Sequence, residues 1–206
     1  GEQKEYISPV DLTYKGLSVV QVEELNKDFN VEDVYALSPL QEGLYYHWFS
    51  SPESSVYFEQ MSYRVQGEID INMLGKSYDL LVSRHAILRT FFTQQYGEGL
   101  LQVVMKRSES GFKYYDNRIY GGTATESSVE EYKLSDRRKG FDLHSGSQMR
   151  LTVLGLGDNQ YEFIWSYHHI LMDGWCMGIL IKEFFEIYYG HIENRATELK
   201  KVYPYS

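Results

Sequence analysis

The stretch QYEFIWSYHHILMDGWC, residues 160–176, reads as a strand, a turn and the start of a helix. Aromatic residues occupy every second position up to two adjacent histidines, which is the alternation of a β-strand with one buried face. The Asp173-Gly174 pair favours a tight turn, and the apolar spacing over residues 175–189 predicts a helix. We therefore expect His168 and His169 at a strand end, just before a helix N-terminus.

These two histidines are the strongest candidates for catalytic residues in the chain. Successive strand residues point to opposite faces of a sheet, so only one of the pair can serve a given pocket. A neutral imidazole near pH 7 can take a proton from an attacking amine or hydroxyl. The helix start at Gly174 offers free N–H groups to a developing negative charge. A purely structural role for His168, His169 and Asp173 is the competing interpretation.

Composition excludes several classes of function. The chain has 206 residues, 43% of them hydrophobic, which suits a globular domain. A formal net charge of −9 without a basic stripe argues against a nucleic-acid partner. The single cysteine, Cys176, excludes an internal disulfide, and we see no apolar run long enough to cross a membrane. We predict a cytoplasmic protein with neither nucleic acid nor membrane as partner.

Helix and strand signals occur along most of the chain. Ser38 and Gln41 form a capping-box pattern with Pro39 between them. Single helices alternating with hairpins predict an α+β fold with a mixed sheet. Residues 1–30 are interpreted as a linker, and the charged helix 127–138 as a surface excursion with Asp136 on its solvated face. We predict helices over residues 18–29, 38–49, 70–85, 127–138 and 175–189, and strands over 57–66, 88–95, 100–105, 149–156 and 160–168.

Several segments carry a family resemblance. HHILMDG, residues 168–174, resembles the His-His-x-x-x-Asp-Gly motif shared by chloramphenicol acetyltransferase and the condensation domains of nonribosomal peptide synthetases. LSPLQEGL at 37–44 and RHAILRTFF at 84–92 resemble two further condensation-domain motifs in the family order, and FDL at 141–143 resembles the approach to the catalytic strand. On these motifs the chain is identified as a member of this family, with a chloramphenicol acetyltransferase-like α+β fold.

The resemblance implies an acyltransferase that forms peptide bonds in antibiotic or other secondary-metabolite biosynthesis. Donor and acceptor thioesters would arrive on the 4'-phosphopantetheine arms of upstream and downstream peptidyl carrier domains, with no cofactor or metal on the chain itself. His169 inherits the catalytic role, whether as a base or as a residue that positions the amine, and His168 supports it. The resemblance also implies an ion pair between Asp173 and an arginine, for which Arg84 and Arg89 are the candidates.

A domain organisation follows from the same resemblance. Residues 1–30 would connect a preceding module, and residues 31–206 would form the N-terminal lobe of a condensation domain whose C-terminal lobe is absent. Because the family's active site is a tunnel between the two lobes, we expect this chain alone to be inactive and its lobe interface to be apolar. Segments 37–44, 168–176 and 11–18 look most like the subtype that accepts a donor ending in a D-residue.

Alternative functions remain open at this point. An epimerisation domain shares the histidine motif, although Trp175-Cys176 looks more like the condensation subtype, and a non-catalytic lobe that docks carrier proteins is also possible. A glycerolipid acyltransferase, a Cys176–His169 dyad and a metal site at the histidines have weaker support. Net acidity, the inertness of a helical cysteine and the divergence of adjacent strand residues argue against them in turn. His47, His144 and His191 are interpreted as surface or packing residues.

Overall fold

The computed structural model describes residues 7–116, 126–197 and 199–202, which form two β-sheets and five α-helices. The helices are α1 (Val19–Phe29), α2 (Pro39–Ser50), α3 (Ile71–Arg84), α4 (Glu126–Lys139) and α5 (Gly174–Ile192), with a 3₁₀ turn at Ala86–Arg89. The strands are β1 (Val31–Ala36), β2 (Phe58–Gln66), β3 (Thr90–Thr93), β4 (Leu101–Met105), β5 (Phe112–Asp116), β6 (Met149–Gly157) and β7 (Gln160–His168).

The larger sheet has the strand order β2-β7-β6-β5, and the smaller sheet has the order β1-β4-β3. All pairs are antiparallel except β5 with β6, which is parallel. Asp158 and Asn159 take left-handed conformations in the β6–β7 turn, with φ of 49° and 55°, as short polar turn residues do. A mixed sheet packed with helices confirms the α+β prediction.

The front face of the larger sheet carries the main core. We define this face by Phe163, Trp165 and Tyr167 on β7, which lie in one buried cluster with residues of α3 and α5. Trp165 meets the ring of Phe184 on α5 edge-on at 5.2 Å between centroids. Such aromatic burial dominates the stability of a core, and it packs α5 on the front face of the strand that ends in the histidines.

Residues 7–30 of the segment interpreted as a linker contribute to a second core. α1 lies where the sequence predicts a helix, begins after a capping box at Ser18, and buries Val22 and Leu25 in a cluster with residues of the smaller sheet. Leu12, ahead of the helix, is fully buried in the same cluster beside Phe91 of β3. This stretch therefore packs against the rest of the domain and is not an extended linker. Its connection to a preceding module stays a prediction.

α4 forms where the charged helix is expected, but it is not a mere surface excursion. Val129 packs against Leu154 and Ile164 on the opposite, back face of the larger sheet. The assignment of Asp136 to a solvated face is wrong, because its carboxylate is buried in an ion pair with Arg150 of β6 at 2.6 Å. That partner lies on another element, so the helix's own sequence carries no sign of it.

None of the described helices combines the length and the apolar character needed to span a membrane.

Candidate active site

Neighbouring segments on both sides hold the backbone of the histidine pair. The His168 N–H donates to the Gln148 carbonyl at 3.0 Å, and the His169 N–H donates to the Tyr57 carbonyl at 2.9 Å. Gln148 directly precedes β6, and Tyr57 directly precedes β2. These two bonds hold the backbone at the end of β7 between the segments that lead into its two neighbouring strands.

His168 is a buried, neutral residue. Its Nδ1 accepts a hydrogen bond from the Ile170 N–H at 3.1 Å, so the ring proton of the neutral form sits on Nε2. Burial, and secondarily the neighbouring His169, lowers the pKa of His168 from 6.5 to about 4. Because a general base works best with a pKa near the working pH, His168 is a poor proton acceptor at pH 7.

His169 differs from its neighbour, as strand parity predicts. The residue is half-buried, whereas His168 is only 5% exposed. The Nδ1 atom of His169 is itself buried and has no hydrogen-bond partner among the described residues. Buried polar atoms are nearly always paired in native proteins, so an unpaired one needs a physical explanation.

Asp173 caps α5, and none of the arginines that the structure describes pairs with it. Its Oδ1 accepts from the Cys176 N–H at 3.1 Å, the arrangement of an N-cap. The hydrogen bond with the Cys176 side chain, and then that with its N–H, hold the pKa of the exposed Asp173 carboxyl below its usual range. The carboxylate therefore serves the helix start that follows the histidines.

The prediction that Arg84 or Arg89 partners Asp173 is wrong, because each arginine has a nearer carboxylate. Arg84 Nε lies 3.0 Å from Glu183 of α5, tying α3 to α5. Arg89 is buried, with Nη1 at 2.6 Å from Glu32 of β1. Both arginines stabilise the fold away from the histidine motif.

The start of α5 is open to solvent. Gly174 is exposed, and apart from its chain neighbours and its own helix backbone no described atom lies within 4 Å of the position that a Cβ would take. The first N–H groups of a helix have no intrahelical acceptor, so the role of Gly174 as an oxyanion donor stays a prediction. Trp175 is 88% exposed and Ile179 is 59% exposed one turn later. A large apolar surface beside a polar site is typical of an interface.

Two residues around the histidines escaped the sequence analysis. Tyr57, besides accepting from His169, has its ring 5.0 Å from His47 and 6.2 Å from His168 between centroids. Gln41 of α2 reaches the Ile170 carbonyl with Nε2 at 3.4 Å. Tyr57 showed only a strand pattern and Gln41 only a capping pattern, because strand pairing and helix docking are not local properties of the sequence.

The remaining chemical alternatives gain no support from the structure. Burial, followed by the hydrogen bond with Asp173, raises the pKa of the Cys176 thiol, which disfavours a reactive thiolate. In the part of the chain that the structure describes, no group of three or more His, Cys, Asp or Glu residues could hold a metal ion.

A family model and curated relatives both match most of this chain. The family described as "Condensation domain" matches residues 31–206. Surfactin synthase subunit 3 of Bacillus subtilis (strain 168) is 34% identical over 182 residues, covering 88% of this chain and 14% of the relative. Bacitracin synthase 3 of Bacillus licheniformis is 33% identical over 202 residues, covering 97% of this chain and 3% of the relative. The chain thus spans a small part of each of these synthases.

Solved structures show the same fold. The starter condensation domain of rhizomide synthetase superposes with a TM-score of 0.73 at 19% identity, covering 81% of this chain and 41% of that one. The first condensation domain of the calcium-dependent antibiotic synthetase, in complex with a substrate analogue, superposes with a TM-score of 0.73 at 17% identity. This match covers 81% of this chain and 40% of that one. The chloramphenicol acetyltransferase-like fold is thereby confirmed, over about two fifths of each solved chain.

Proposed function

Because the chain belongs to the condensation domain family of nonribosomal peptide synthetases, we propose that it carries the catalytic histidine of a peptide-bond-forming acyltransferase. The donor is an acyl or peptidyl thioester and the acceptor is an aminoacyl thioester. Each is delivered on the 4'-phosphopantetheine arm of a carrier domain. The chain itself contributes side chains and a helix N-terminus, and the thioesters are its substrates.

The half-buried side chain of His169 is the observation that carries this proposal, because His168 is only 5% exposed and has a pKa of about 4, too low for a base at pH 7. A substrate amine would meet the ring at Nε2, because Nδ1 is itself buried. The amine nitrogen attacks the carbonyl carbon of the donor thioester, a C–N bond forms, and the C–S bond breaks. The amine loses one proton, and the departing phosphopantetheine thiolate takes up one. In this proposal His169 is the group that handles that proton.

Two roles of His169 are consistent with this chemistry. An α-amino group has a pKa near 8, so much of it is neutral at pH 7 and needs positioning more than deprotonation. His169 then either accepts the proton as bonds form or orients the neutral amine. His168, the buried member of the pair, supports His169. Asp173 caps the start of α5, where the Gly174 N–H would stabilise the oxyanion.

The partners follow from the same proposal. Upstream and downstream carrier domains present the thioesters, and a second, C-terminal lobe closes the tunnel over the histidines. The exposed Trp175 and Ile179 are suited to that lobe interface. Residues 1–30 lead in from a preceding module, and the resemblance of segments 37–44 and 168–176 supports a donor that ends in a D-residue. Residues 1–206 alone would then be inactive.

The test is condensation by the full-length protein between a loaded donor carrier and a loaded acceptor carrier. Mass spectrometry should find the amide-linked product on the acceptor carrier, and a D-configured donor should react faster than its L-epimer. Residues 1–206 alone should give negligible product. Inversion of the donor α-carbon without an amide product would favour an epimerisation domain. Carrier binding without either reaction would favour a docking lobe.

A further inference from the structure

A buried polar cluster lies on the back face of the larger sheet, away from α3 and α5. At its centre is Asp136, near the end of α4 and only 6% exposed. Asp136 Oδ1 accepts from Arg150 Nε at 2.6 Å. Its Oδ2 accepts from Ser166 Oγ at 2.6 Å and from Gln60 Nε2 at 3.2 Å. Since these partners belong to β6, β7 and β2, one carboxylate connects three adjacent strands.

The three partners form one row across the sheet. Gln60 pairs with Ser166, and Ser166 pairs with Arg150. His168 lies two residues beyond Ser166 on the same face, or about 7 Å at the rise of a strand. The carbonyls that hold the histidine pair lie on the chain segments that run out of β6 and β2 from this row. A change in the spacing of these three strands at the row would therefore shift the backbone of the two histidines.

Packing continues from the ion pair to His168 through one aromatic residue. The guanidinium carbon of Arg150 lies 5.4 Å from the ring centroid of Phe58, and that of Arg137 lies 5.1 Å from it. Arg137 Nη1 also donates to the Phe58 carbonyl at 3.0 Å. Phe58 is the register partner of His168 across β2 and β7. The buried polar cluster thus packs against Phe58, the residue paired with His168 on the neighbouring strand.

We propose that Asp136 is a positioning residue for condensation. It keeps β2, β7 and β6 in register, so that His169 is held at the strand end in the orientation that the reaction needs. This inference rests on the proposed function, because Asp136 acts only through His169. A carboxylate with a purely structural role would change the stability of the protein without slowing the molecules that remain folded.

The test compares Asp136→Asn with Glu131→Gln in the full-length protein with loaded carriers. Glu131 is an exposed carboxylate on the same helix, so its variant is the matched control. At a temperature where circular dichroism shows both variants folded, the single-turnover rate of Asp136→Asn should fall about tenfold to a hundredfold. The acceptor concentration that gives half-maximal rate should change by less than about twofold, because no substrate contact is removed.

Hydrogen–deuterium exchange provides a second readout. Peptides containing the His168 and His169 amides should exchange faster in Asp136→Asn, and those of the Glu131→Gln control should match wild type. Folded Asp136→Asn with the wild-type rate, or with a slower rate but unchanged exchange, would overturn the proposal. If that variant does not fold, Ser166→Ala decides, since it keeps the Arg150 ion pair: slower turnover with faster exchange supports the proposal, and wild-type turnover overturns it.

His169→Ala, measured alongside, separates the two proposals. If it retains the wild-type rate, the proposed function fails in its catalytic assignment. If it abolishes turnover while folded Asp136→Asn keeps the wild-type rate, only the positioning role fails.

Discussion

Acidification should destabilise the fold through His168. Its pKa is about 4 in the folded protein, against 6.5 for an unperturbed histidine. Below pH 6.5 the unfolded chain binds a proton at this residue that the folded chain does not, so stability falls as the pH drops and the loss is complete near pH 4. At pH 4.5 the loss covers two pH units, or about 3 kcal/mol at about 1.4 kcal/mol per unit.

Urea unfolding of the 206-residue chain between pH 8 and pH 4.5, followed by tryptophan fluorescence, measures this effect. His168→Asn removes the titrating group but keeps an acceptor for the Ile170 N–H. The other titrating groups are common to both proteins, so the wild type should lose about 3 kcal/mol more than the variant on acidification. His191→Asn, at an exposed position, should follow the wild type. Parallel stability curves for wild type and His168→Asn would refute the reasoning.

Two further predictions concern stability, and urea unfolding near pH 7 checks both. Asp173→Ala should lower the free energy of unfolding by about 1 kcal/mol because it removes the cap of α5, whereas Asp173→Ser should retain most of it; equal losses would contradict the capping role. Leu12→Ala should cost about 3 kcal/mol because Leu12 is fully buried in the second core, and Val10→Ala, at an exposed position, is its control. A loss at Leu12 no larger than at Val10 would show that this segment behaves as a loose linker.

Helices were predictable because their signals are local. Ser38 and Gln41 form the reciprocal capping box at α2, and the Asp70 carboxylate accepts from the Met73 N–H at the start of α3. The alternation of β7 placed the histidine pair at its end. Each of these features is written within a few residues, so no knowledge of tertiary contacts was needed.

Two strands were not predicted because their definition is not local. β1 and β5 are short edge strands that lack clear alternation. β1 exists because β4 lies beside it, and β5 because β6 does, in a parallel pairing. Such strands become visible only when the neighbouring strand is known.

In the candidate site, too, local features were predictable from the sequence and features that depend on tertiary contacts were not. Parity distinguished His169 from His168, yet the low pKa of His168 depends on burial that the sequence does not show. The arginine partner of Asp173 was wrongly predicted because ion pairs depend on distances between elements. A signal for Asp136 did exist: Arg150 stands alone in an apolar strand, and a buried guanidinium requires a carboxylate.

Condensation by the His169→Ala variant of the full-length protein tests the central claim most directly. Donor and acceptor carriers are preloaded, the product is quantified by mass spectrometry in a single turnover, and His191→Ala serves as the control at an exposed position. The account predicts a loss of at least about a hundredfold for His169→Ala, within the range of one proton-transferring or positioning group, and the wild-type rate for the control. A folded His169→Ala protein that forms the amide product at the wild-type rate would contradict it.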